Sequence, residues 1–165
     1  MATVERVRPE ATSSSGGATD LIEQTYRDQA TRLRRSVTAY AGDPDVASDA
    51  VAEAFAQLLR RGAGVRDPAA WVWRAAFRIA AGDLVLRRSC VSEPLAGVVT
   101  PSETETIDLA RALAQLSPCQ RAAVLLHDYA GFPARQAAEL SDSTEAAVRV
   151  HLMRARRKLR VLLSE

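Results

Sequence analysis

TEAAVRVHLMRARRKLRVLL, residues 144–163, is the stretch whose reading decides the fold. Val148, Leu152, Ala155, Leu159 and Leu162 recur at steps of four, three, four and three. That spacing gathers apolar side chains into one stripe of an α-helix. Arg149, Met153, Arg156 and Arg160 lie off the stripe and face outward. Six basic residues and no acidic one fall between Arg149 and Arg160. Upstream stand PARQAAEL, which reads as a short helix, and the turn SDS at 141–143. Asp142 and Glu145 have the spacing of a capping box at the longer helix's start.

A short helix, a tight turn and a longer helix are the ingredients of a helix-turn-helix. In such a unit the N-terminal half of the second helix reaches base edges. Glu145, Ala146, Arg149 and Val150 occupy that half. Ala146 is small enough for close approach, and Arg149 can bond guanine or phosphate. Met153, Arg154 and Arg157 follow on the outward side, where cations suit phosphates, which position a protein without reading sequence. Cations near a helix C-terminus are also favoured by the helix dipole alone.

The rest of the chain is consistent with a helical protein. It has 165 residues, 47% hydrophobic but only 5% aromatic, so its core is built from Leu, Val, Ile and Ala. Such a chain favours helices. The net charge is +2, so the cluster at 149–160 is a local patch on a mixed surface. Cys90, Cys119, His127 and His151 form no metal-ligand spacing, and neither a Gly-rich phosphate loop nor a nucleophile elbow occurs. No metal, cofactor or catalysis is expected. No apolar run has membrane-helix length and the N-terminus lacks a signal-peptide core. A cytoplasmic protein without membrane insertion is expected.

Punctuation divides the chain. Residues 1–19 are small, polar and aperiodic, a disordered tail. Asp20 then caps a helical pattern of Ile22, Tyr26, Leu33 and Val37. GDPD at 42–45 is a turn, and Val46, Ala50, Val51, Ala54, Phe55, Leu58 and Leu59 make a second stripe. Asp67-Pro68 starts a third helix carrying Trp71, Val72, Ala75, Ala76 and Ile79. Residues 89–104 hold two prolines and scattered Ser and Thr, a flexible linker. A second helical block follows from 105 to 165, with Ser117-Pro118 as another cap-plus-proline start. The expectation is all-α: two small helical domains, 20–88 and 105–165, the second a helix-turn-helix.

LARALAQLSPCQRAAVLLHDYAGFPARQAAEL at 109–140, with TEAAVRVHLMRARRKL after the turn, resembles the C-terminal domain of bacterial sigma factors of the extracytoplasmic-function group. LIEQTYRDQATRLRR, SDAVAEAFAQLLRR and DPAAWVWRAAFRIA, within 21–88, resemble that family's N-terminal domain. The resemblance implies an alternative sigma factor that binds core RNA polymerase and directs promoter-specific initiation. Its C-terminal domain would read the −35 element through Glu145, Ala146, Arg149, Val150, Met153, Arg154 and Arg157. Residues 45–61 would dock on core polymerase, with Asp49, Glu53, Gln57 and Arg60 exposed. The helix from Ala69 to Arg88 would serve the −10 element: Arg74, Arg78, Arg87 and Arg88 on phosphates, Trp73 or Phe77 stacked on an unpaired base, Trp71 in the core. Promoter DNA and an anti-sigma factor are the further partners implied.

The sequence departs from the family pattern at Arg78, where asparagine is common, at Gly82, where aspartate is common, and at Val85-Leu86, where a basic run is usual. Ser141-Asp142-Ser143 replaces an apolar-Gly-apolar turn, which should weaken packing of the reading helix by roughly 1–3 kcal/mol per fully buried site. Two alternatives therefore stay open. One is a helix-turn-helix regulator that acts without polymerase. The other is a degenerate sigma-like protein that binds polymerase or an anti-sigma factor without opening promoters.

Overall fold

A computed structural model describes residues 13–90 and 104–164, and all its regular structure is helical. The elements are α1 (Ser13–Ala41), α2 (Pro44–Arg61), α3 (Pro68–Cys90), α4 (Thr104–Ala114), α5 (Pro118–Val124), α6 (Ala134–Leu140) and α7 (Glu145–Leu162). A π-helical turn, Leu125–Tyr129, continues α5.

Local chemistry sets most helix starts. The Asp43 carboxylate accepts from the backbone N–H groups of Asp45 and Val46, at 2.8 and 3.2 Å, with Pro44 in the first turn of α2. Asp67 accepts from Ala70 N at 3.0 Å ahead of α3. Ser117 and Gln120 form a reciprocal capping box on α5. Each cap satisfies N–H groups that have no partner inside the helix. Two starts differ from expectation. α1 begins at Ser13, so Asp20 lies inside the helix rather than at its cap, and residues 13–19 of the expected tail are helical. α7 is capped by Thr144, whose Oγ1 accepts from Ala147 N at 3.2 Å, not by an Asp142–Glu145 box. Ser89 and Cys90 finish α3 and Thr104 opens α4; the remainder of the expected linker, 91–103, lies outside the described residues.

α1, α2 and α3 pack on one another, and α5, α6 and α7 form the second block. The two blocks touch. α1 packs against α4, α5 and the π-turn, and α3 packs against α6. Their apolar residues form one continuous core, from Leu33, Val37, Phe55, Leu58 and Trp73 to Leu126, Leu140, Val148 and Leu152. Of the α7 stripe, Val148, Leu152 and Ala155 are buried, and Leu159 and Leu162 are half-buried. Tyr26 and Leu59, expected on buried stripes, are exposed.

Candidate nucleic-acid interface

α7 presents an exposed face opposite its buried stripe. Ala146, Arg149, Val150, Met153, Arg154 and Arg157 are exposed and Glu145 is half-buried, all away from the Val148–Leu152–Ala155 stripe that fixes the helix on α5 and α6. Arg149 bonds Glu145 at 2.5 Å across one turn, so Glu145 orients the guanidinium at the N-terminal end of the helix. The tail beyond is not one uniform cationic strip. Arg156 grips Asp128 with two nitrogens, at 2.5 and 3.1 Å, which raises its already high pKa. Lys158 donates to the Gln115 carbonyl at 2.6 Å. Arg154, Arg157 and Arg160 form no side-chain ion pair among the described residues.

The turn before α7 is built differently from an apolar one. Asp142 stands at φ 49°, the left-handed region that Asp tolerates better than most residues. Ser141 Oγ donates to Ala137 O at 2.7 Å, and Ser143 N donates to Ala138 O at 2.9 Å. Ser143 is exposed and Ser141 half-buried, so neither position is the fully buried site whose lost apolar contact would weaken the packing of α7.

α3 corrects the expected assignment of its aromatics. Trp73 is fully buried at 0% exposure and Phe77 at 4%. Trp73 Nε1 donates to Gln29 Oε1 at 3.0 Å, and its ring meets Phe77 and Phe132 at centroid distances of 6.1 and 5.2 Å. Neither ring faces a strand in this arrangement. Trp71, expected in the core, is half-buried under the Arg61 guanidinium, 5.4 Å from its centroid. The reason is that α3 is packed on two sides, by α1 and α2 and by α6, which buries a wider arc than one stripe. Arg74 and Arg78 are exposed as expected, yet both contact Asp142, at 2.5 and 3.1 Å. The Arg74 bond, more than Arg78, holds the Asp142 carboxyl below its ordinary pKa. The side chains of Arg87 and Arg88 lie outside the described residues.

On α2, Asp49, Glu53 and Arg60 are exposed and Gln57 half-exposed, off the buried stripe. Glu53 accepts from Gln57 and Arg60, both at 2.8 Å, and these bonds lower its pKa, Gln57 first. One surface thus carries a fixed carboxylate flanked by donors. Among the described residues no group of acidic, His and Cys side chains is arranged to hold a metal ion, and no helix is long and apolar enough to cross a membrane.

These features define an all-helical protein with a basic helix-turn-helix at its C-terminal end. Residues 106–159 match the family model described as Sigma-70, region 4. The fold is similar to that of the sigma factor RpoE from Bartonella quintana, solved in complex with the anti-sigma factor NepR. The TM-score is 0.71 at 19% identity, over 88% of this chain and 98% of that one. No curated protein matches the chain significantly. The family match is confined to the second helical block, and the structural likeness shows a shared fold.

Proposed function

We propose that the chain binds core RNA polymerase through α2 and directs it to promoters, α7 reading the −35 element and α3 serving the −10 element. It would act in the cytoplasm, with phosphodiester chemistry left to the polymerase. The observation that carries this reading is the region 4 match on 106–159, together with a reading helix whose N-terminal half is exposed and whose Arg149 is oriented by Glu145. An anti-sigma factor is proposed as a further partner, because the similar fold of the Bartonella protein was solved with one.

Run-off transcription with purified core polymerase on genomic promoter DNA tests the proposal, specific transcripts being the expected result. In the same system Arg149→Ala should weaken promoter-specific binding by about 1–3 kcal/mol, the worth of one bidentate base contact, and leave core binding intact. Equal loss of core binding would refute the division of surfaces. Glu53→Arg should do the opposite: weaker capture of core polymerase, with binding of the free protein to −35 duplex unchanged. If capture is unaffected, α2 is not the docking helix.

A second reading is favoured by the burial of Trp73 and Phe77 and by the engagement of Arg74 and Arg78 with Asp142. It is a sigma-like protein that binds polymerase or an anti-sigma factor without opening promoters. Core capture without transcripts would select it. Failure of core capture would leave a polymerase-independent regulator.

A further inference from the structure

We propose that Asp142 is an internal anion that latches the helix-turn-helix onto α3 and keeps that helix covered until a DNA phosphate displaces it. The inference rests on the reading of α3 as a strand-holding helix. Arg74 and Arg78 stand one turn apart on α3 and converge on one carboxylate. Arg74 takes Oδ1 at 2.5 Å and Arg78 takes Oδ2 at 3.1 Å. Two guanidinium groups, each on one oxygen of a single anion, is also how paired arginines would hold the two free oxygens of a phosphodiester.

Beyond the left-handed backbone that it supplies to the turn, the Asp142 side chain bonds no group of the turn among the described residues. Thr144 caps α7, and Ser141 and Ser143 bond the end of α6. The left-handed backbone at Asp142 projects its side chain from the turn toward the first block. Phe132, just ahead of α6, lies edge-on to Trp73 at 5.2 Å. The second block therefore covers the aromatic face of α3 as well as its charges.

The closure is built to open. The three side chains remain 45–66% exposed, so water, salt and competing anions reach them. A cleft of about 170 Å³ separates Tyr40, Phe77 and Arg78 from Cys119, Ser141 and His151. The seam is thus incompletely filled beside the latch, although the apolar core runs on beneath it.

The test uses the full chain with Asp142→Asn. Asparagine is at ease with positive φ, so the turn is kept and only the charge is lost. Trp71→Phe is added to both proteins, which leaves Trp73 as the reporting indole. Acrylamide quenching of Trp73 is measured alongside the affinity for a labelled 12-nucleotide single strand, with helix content checked by circular dichroism. Asp142→Asn should raise Trp73 quenching and tighten strand binding roughly two- to tenfold, the range of exposed ion pairs acting together. About 1 M salt, where screening acts within roughly 3 Å, should bring the parent's quenching up to the variant's. Unchanged quenching in Asp142→Asn overturns the latch, whatever the chain does with polymerase. An exposed Trp73 without a gain in strand affinity overturns its competition with DNA. Both gains in a chain that never binds core polymerase keep the latch and remove the sigma reading, so the two failures are distinguishable.

Discussion

Trp73→Ala should destabilise the protein by about 3–5 kcal/mol, the usual result of deleting a large buried aromatic, and lower its melting temperature by roughly 10 °C. The indole is fully buried, contacts rings from both helical blocks and uses its N–H on Gln29. Alanine leaves a cavity at the seam and removes the donor from a half-buried amide. Trp73→Phe should recover most of the packing and lose only the hydrogen bond, worth about 0.5–1.5 kcal/mol. Thermal melts followed by circular dichroism measure both. If alanine left the melting temperature unchanged while single-strand binding disappeared, Trp73 would be a surface stacking residue after all.

The two tryptophans show where the sequence could be read and where it could not. Both lie near the edge of the Val72–Ala76–Ile79 stripe, so period alone could not say which faces inward. The choice is made by Phe132, 59 residues downstream of Trp73, whose ring closes over it. The caps at Asp67 and Ser117 were legible because they are local: each lies within three residues of the N–H group it satisfies. The outward face of α7 was legible for the same reason, since steps of three and four fix which side is buried. Asp20 misled because a capping residue type is also tolerated within a helix, and α1 begins seven residues earlier. The SDS turn was read as a loss of apolar packing. The partners that give Asp142 its place, Arg74 and Arg78, lie 68 and 64 residues away, and nothing near the turn announces them.

Arg121 is the residue that sequence reading passed over, and its removal should have the second-largest effect. It follows the Ser117–Gln120 capping box and looks like an ordinary helical arginine. Its guanidinium instead gathers carbonyls from three directions. Nε donates to Leu113 O at 2.8 Å, Nη2 to Ala114 O and Leu116 O at 2.8 and 3.1 Å, and Nη1 to Tyr40 O at 2.7 Å. Leu113 and Ala114 are the last residues of α4, whose carbonyls have no partner inside the helix. A cation there also meets the negative end of the helix dipole. The Tyr40 carbonyl, at the end of α1, ties the second block to the first. Arg121→Met keeps most of the side chain's volume and removes every donor, so it should cost about 2–4 kcal/mol, given about 1.5–3 for a hydrogen bond to a charged group and strong non-additivity within one cluster. Arg121→Lys should rescue little, because an ammonium offers one compact point charge where a planar fork spans four carbonyls. Urea unfolding gives the readout through the midpoint at constant slope. A loss below about 0.5 kcal/mol for methionine would mean that water serves these carbonyls equally well. Full rescue by lysine would mean that charge at the end of α4, rather than the fork, holds the junction.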